Sequence, residues 1–225
     1  MVKLVLFDID GTLLHTGGAG RKAFRHAFAS AFVIPDGTDG IEFAGRTDTG
    51  IVRELFLKHA VEHTPRNIRH FFDTYYFWLD HILHQSEGAP CPHSREFVDS
   101  VRALVEPPVI GLLTGNVRLG AEIKLRHYHF WQDFRTGGFG DDHEDRNEIA
   151  RIAQVRGTEL LGKPLRGEEI LVVGDTPLDI ACARAISAKC LAVATGHASV
   201  SELERHHPTW AVPDLSQVDA RAVCV

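Results

Sequence analysis

Cysteine is scarce in this chain of 225 residues, and the four present, Cys91, Cys182, Cys190 and Cys224, form no Cys-x-x-Cys pair. A disulfide-dense scaffold is thereby excluded, and a reducing compartment, the cytoplasm, is the expected home. No apolar run reaches the roughly 20 residues that a membrane-spanning helix requires. The opening residues lack the basic region, long apolar stretch and cleavage site of an export signal. Basic charge is in deficit too: 24 Lys and Arg stand against 30 Asp and Glu, a formal net charge of −6. That balance argues against a general affinity for nucleic acid and offers no basic stripe to a membrane surface. Internal repeats, low-complexity tracts and long linkers are missing as well.

What is present is an ordinary globular composition, 44% apolar and 24% charged, in a chain long enough for one α/β core and a smaller module. Histidine is the one abundant oddity, with fourteen copies. His81 and His84 would share a helix face, but the others are scattered without ligand spacing, so surface and packing roles are expected for them.

The chain is organised around Leu4–Leu14. Leu4-Val5-Leu6-Phe7 is too continuously apolar for a half-exposed strand and reads as a buried parallel strand, ending at Asp8-Ile9-Asp10-Gly11-Thr12. Ligands of open α/β sheets bind at that strand edge, and residues two apart on an extended segment leave on the same side. Asp8 and Asp10 therefore form a carboxylate pair whose repulsion calls for a hard divalent cation, with phosphate as its natural companion.

Downstream, Gly18-x-Gly20-x-x-Ala23 mimics a dinucleotide fingerprint. It lies too far beyond the strand, and behind two acids, to hold a pyrophosphate. Helical spacing follows over 21–33, then 47–61 with its cap at Thr47 or Asp48, then 67–83 with crowded aromatics (Phe71, Phe72, Tyr75, Tyr76, Phe77, Trp78) that read as the core of a small bundle. Nothing strand-like separates these helices. They form an inserted helical module, residues 17–87, between glycine-rich boundaries, and leave 1–16 and 88–225 as the α/β core.

From Ser94 the α/β alternation resumes. A helix to Leu104 precedes the strand Val109–Leu113, which ends in Thr114-Gly115-Asn116, where Asn116 can cap the next helix. A hydroxyl and free N–H groups at that point suit an oxyanion. A short strand near 134–136 leads to a helix from Arg146, and a strand over 169–174 ends in Gly174-Asp175-Thr176-Pro177-Leu178-Asp179, placing two acids within reach of one ion. A helix over 181–186, a strand over 190–194 and a short strand at 210–212 complete the pattern. The fold class is α/β, a Rossmann-like parallel-sheet core with an inserted helical cap.

Asp-x-Asp-Gly-Thr after an N-terminal strand, Thr114 after the second, a basic residue at a later helix start and Gly-Asp-x-x-x-Asp after a further strand together resemble the haloacid dehalogenase superfamily of phosphotransferases. The resemblance spans nearly the whole chain, with the helical module in the place of that superfamily's cap. It implies Asp8 as nucleophile and Asp10 as general acid/base. Thr114, with Gly115 and Asn116, would bind the phosphoryl group, and Asp8, Asp10, Asp175 and Asp179 would hold Mg²⁺, with Asp179 either a ligand or a partner of one. The third motif is usually lysine. Arg146 is preferred over Lys163, which lies at the far end of that helix, roughly 25 Å away at 1.5 Å per residue.

The second acid, Asp10, favours a phosphatase or phosphomutase over a dehalogenase, which has no alkoxide to protonate. A phosphoglycolate or sugar-phosphate phosphatase is the nearest likeness, acting on a small phosphate ester as monomer or homodimer. Arg46 is the expected cap cation for the far end of the substrate. A β-phosphoglucomutase-like enzyme shares every core residue named. A phospho-accepting module or silent binding protein is the non-enzymatic alternative, but receivers are shorter and need neither Asp10 nor a cap.

Overall fold

A computed structural model describes residues 1–225. The chain runs β1 (Leu4–Phe7), β2 (Leu14–His15), α1 (Ala19–Phe32), α2 (Asp48–Lys58), α3 (Pro65–Leu83), β3 (Ala89–Pro90), α4 (Ser94–Arg102), β4 (Val109–Leu113), α5 (Arg118–His127), β5 (Thr136–Gly138), α6 (Arg146–Leu161), β6 (Ile170–Gly174), α7 (Pro177–Ala185), β7 (Lys189–Val193), α8 (Val200–Glu204), β8 (Trp210–Val212) and α9 (Ala220–Cys224). Six strands form one all-parallel sheet in the order β5-β4-β1-β6-β7-β8. β1 lies between β4 and β6, so the ends of the three motif-bearing strands are neighbours.

The period of two along the strands decides which residue goes to which face. Val5, Phe7, Ile110, Leu112, Leu171 and Val173 pack with α4, α5 and α9. Leu4, Leu6, Leu113, Ile170 and Val172 turn the other way, onto Ile149 and Ala153 of α6 and Ile180 and Ala183 of α7. Both faces are covered, which is why these strands read as continuous apolar runs rather than as alternating ones.

A separate apolar cluster holds α1, α2 and α3 together, with Phe24, Phe28, Phe56, Phe71 and Tyr75 fully buried. Of the aromatic stripe expected to be core, Phe71, Phe72 and Tyr75 are buried, whereas Phe77 is 66% exposed. Both crossings between the sheet and this helical layer run through the antiparallel β2–β3 pair, Leu14 opposite Pro90 and His15 opposite Ala89, which is too short to show as a pattern.

Boundaries shift where capping chemistry wins over apolar periodicity. α3 starts at Pro65 because Thr64 accepts a hydrogen bond from the Asn67 N–H, and proline suits the first helical position. α7 starts at Pro177, four residues earlier than its apolar spacing suggests, through a reciprocal cap between Thr176 and Asp179. α4 stops at Arg102, and β5 is Thr136–Gly138 rather than the segment around 134–136. Asn116 does not cap α5: Val117 holds that position, and the Asn116 side chain is engaged elsewhere.

Leu6→Ala removes a fully buried side chain between the sheet and α6–α7. We expect a loss of about 3 kcal/mol of unfolding free energy, read as a lower urea midpoint at unchanged m-value in far-UV circular dichroism.

Candidate active site

Asp8 follows β1 directly, its N–H donating to the Val173 carbonyl at 2.9 Å, so the sheet ladder itself fixes this carboxylate. Gly11 turns the chain with φ 88°, and a Cβ there would collide with the Asp175 carboxylate. Only glycine meets both conditions. The turn brings Thr12 Oγ1 within 3.0 Å of Asp175 Oδ1, to which it donates. Asp175 directly follows β6, and Asp179 lies on the first turn of α7, where its Oδ2 accepts from the Thr176 N–H and hydroxyl.

Asp8, Asp175 and Asp179 are all buried, with carboxylate oxygens within 4.8 Å of one another. One cation faces them. Arg146, at the first position of α6, pairs with Asp179 Oδ1, stands 3.5 Å from Asp8 Oδ1 and donates through its other terminal nitrogen to the Gly45 carbonyl at 2.9 Å. Lys163 is exposed, beyond the other end of α6.

Three buried acids against one arginine leave the group short of positive charge. Burial pushes the Asp8 carboxyl up to about 7, Arg146 opposing and Asp179 and Asp10 adding to the rise. Asp175 is raised well above its ordinary value by burial and then by Asp179 and Asp8. Asp8 Oδ1 is buried without a hydrogen-bond partner. An all-oxygen donor set, an excess of negative charge and an orphaned carboxylate oxygen fit a hard divalent cation. Asp8 and Asp175 have oxygen atoms free to ligate one, whereas both oxygens of Asp179 are already engaged.

Asp10 is not part of that group. Its carboxylate Oδ2 accepts instead from Lys124 Nζ at 2.6 Å and Asn116 Nδ2 at 2.8 Å. Thr114 is fully buried at the end of β4, and its hydroxyl oxygen accepts from the Asn116 N–H and side-chain amide. Gly115 meets the helical layer: its carbonyl accepts from the Asp48 N–H at 2.8 Å.

Above these groups lies a cavity of about 610 Å³, walled on the helical side by Phe24, Ile41, Phe43, Ile51 and Tyr75. Arg46 lines it, but its guanidinium is held by Glu54 at 2.5 Å and by the Glu42 carbonyl. His81 and His84 make only local bonds, to Gln85 and to the Asp80 carbonyl.

Sequence reasoning missed Lys124 and the burial of Asp48. Lys124 shares the buried face of α5 with Gly120, Ala121 and Leu125, and a lysine on such a face was the available signal. Asp48 Oδ2 accepts from the Val117 N–H at 2.9 Å, and burial pushes its carboxyl up to about 7, with Lys124 opposing.

Residues 5–193 match the haloacid dehalogenase-like hydrolase family, and the chain belongs to that family. A Clostridium perfringens protein provisionally named pyrophosphatase PpaX is 25% identical over 221 residues, spanning 94% of this chain and 93% of its own. Among solved structures, a predicted phosphoglycolate phosphatase of Haemophilus somnus superposes with a TM-score of 0.70 at 17% identity, covering 95% of this chain and 94% of that one. A provisionally named β-phosphoglucomutase of Thermotoga maritima gives 0.60 at 16% identity, covering 99% and 97%. At these identities the structures establish a shared fold.

Asp48 generates a prediction about pH. The unfolded carboxyl ionises near its ordinary 3.8 and the folded one near 7, so between these values the native state binds more protons and its stability falls as pH rises. Asp48→Asn removes this contribution while keeping an acceptor for the Val117 N–H. The stability of the variant relative to wild type should grow from pH 4 to 7 by at most about 4 kcal/mol and then level off, as measured by urea midpoints across that range.

Proposed function

We propose that the chain is a Mg²⁺-dependent phosphatase that hydrolyses a small phosphate monoester, of phosphoglycolate or sugar-phosphate type, through an aspartyl-phosphate on Asp8. The observation that carries this reading is Asp8 itself. It is buried beside Asp175 and Arg146, carries an unpartnered oxygen and opens into a cavity that Thr114 also lines.

Asp8 and Asp175 would hold Mg²⁺, with Asp179 acting through Arg146 and Thr176. Mg²⁺, when bound, supplies the positive charge that lets a phosphate dianion approach a carboxylate. Asp8 attacks phosphorus in line, forming an oxygen–phosphorus bond, an acyl phosphate, as the bond to the leaving oxygen breaks. Asp10 gives a proton to the departing alkoxide, then takes one from the water that attacks the aspartyl-phosphate and restores Asp8. Thr114, the backbone N–H of Gly115, and Arg146 stabilise charge on the equatorial oxygens, with Asn116 holding the Thr114 hydroxyl in place. In this reading residues 17–87 are a cap over a core of 1–16 and 88–225, and exclude water from the cavity. Arg46, once released from Glu54, would meet the far end of the substrate.

A mutase reading is favoured by one observation, the likeness in fold over nearly the whole chain to a provisionally named β-phosphoglucomutase. Such an enzyme would isomerise a sugar phosphate and release little inorganic phosphate.

Phosphate release from a panel of phosphoglycolate, hexose and pentose phosphates and nucleotides tests the proposal. We expect release that chelation abolishes and that Asp8→Asn lowers by more than about 10³-fold. Isomerisation of a hexose phosphate without net release would move the assignment to the mutase, and a stable phospho-form lasting minutes would move it to a signalling role.

A further inference from the structure

Lys124 is buried in the wall of the cavity and has no part in the scheme above. Its side chain is 5% exposed, and its ammonium lies 2.6 Å from Asp10 Oδ2 and 2.7 Å from Asn116 Oδ1. Removing an ammonium from water costs several kcal/mol unless it is paired, so these two bonds are structural necessities. Lysine only donates, so Asn116 must present its oxygen to it. The amide is thereby fixed with its NH₂ turned the other way, donating to Asp10 Oδ2 at 2.8 Å and to Thr114 Oγ1 at 2.9 Å. One lysine sets the position of the Asp10 carboxylate and the orientation of the amide that joins it to Thr114.

The anchoring matters because the Asp10 side chain is 42% exposed. An aspartate in such contact with water exchanges rotamers within nanoseconds unless held. Lys124 and Asn116 are the groups that hold it, and Lys124 orients Asn116. The helical layer leaves room for this arrangement at Gly20, where a Cβ would stand 3.4 Å from the lysine nitrogen.

We propose that Lys124 is a positioning residue for the proton transfer at the leaving group: it holds Asp10, directly and through Asn116, in one orientation beside the phosphoryl site. This rests on the phosphatase reading, with Asp10 as the group that protonates the leaving oxygen. A misplaced proton donor slows the reaction only where a proton is needed. Alkyl phosphates expel a strongly basic alkoxide and need it, whereas p-nitrophenyl phosphate expels a stable phenolate and does not. General acid catalysis is worth about 10²–10⁴-fold, which bounds the effect.

The test compares kcat/KM, which reports steps up to the first irreversible one, for an alkyl phosphate accepted by the wild type and for p-nitrophenyl phosphate. Lys124→Met keeps the length of the side chain and suits a buried position. We expect it to lower kcat/KM by roughly 10–100-fold on the alkyl ester and by less than about threefold on the aryl ester. In an Asp10→Asn background the same change should cost less than about threefold on the alkyl ester, because the group it positions is gone. Equal losses on the two esters, or losses that multiply in full with Asp10→Asn, would overturn the assignment and leave Lys124 a structural residue. If thermal unfolding shows that Lys124→Met does not fold, Lys124→Gln, which keeps a donor, is read by the same comparison. Absence of release from either ester by the wild type would instead overturn the phosphatase reading, and this assignment with it.

Discussion

Everything at this sheet edge follows from a charge imbalance. Asp8, Asp175 and Asp179 are buried within a few ångströms of one another, and Arg146 is the cation placed among them. Two buried negative charges are left uncompensated, and in a medium of low effective dielectric that is expensive. The raised Asp8 and Asp175 carboxyls express that expense in protonation, and the demand for a further cation expresses it in chemistry. A hard divalent cation at these carboxylates would cancel that excess.

Arg146 does more than balance charge. Its fork has one terminal nitrogen on the acids and the other on the Gly45 carbonyl of the segment leading into α2. That segment and the first turn of α2 are fastened to the core by the Asp48 N–H on the Gly115 carbonyl, the Thr47 hydroxyl on the Glu144 carbonyl and the Thr49 hydroxyl on the Gly140 carbonyl. A side chain at Gly115 would overlap the Arg46 carbonyl, so the close approach of the two layers is written into that glycine. A lysine at 146 would provide charge at a point but could not span both directions. The arginine thus makes a contact that only a planar, branched cation makes.

The sheet was legible because buried parallel strands read as apolar runs, and the strand ends carried Asp8, Thr114 and Asp175 to one edge by rule rather than by detail. The helical layer was legible as an uninterrupted block of helical spacing between glycine-rich boundaries. What stayed hidden were the partners that set the direction of polar side chains, two of them more than a hundred residues away. Asn116 has the residue type and position of a cap, yet Asp10 takes its amide. Asp10 shares a strand end with Asp8, yet Lys124 draws it out of the acidic group. Arg46 lies on the cavity as its position suggests, but Glu54, eight residues on, occupies it. Local pattern gives the location of a polar side chain and not its partner.

The two cations of the site divide its labour according to their chemistry. Arg146, with a delocalised charge and donors in a plane, sits where several fixed acceptors converge and where a phosphoryl group would bring more. Lys124, a compact charge on a flexible stem, reaches from the middle of α5 to a single partly exposed carboxylate and the amide beside it. Exchanging them would leave the net charge unchanged and undo both functions, since the guanidinium would crowd Gly20 and the ammonium could not bridge Asp179 and Gly45. The shapes of the two cations, and not their charge alone, determine which oxygen each can serve.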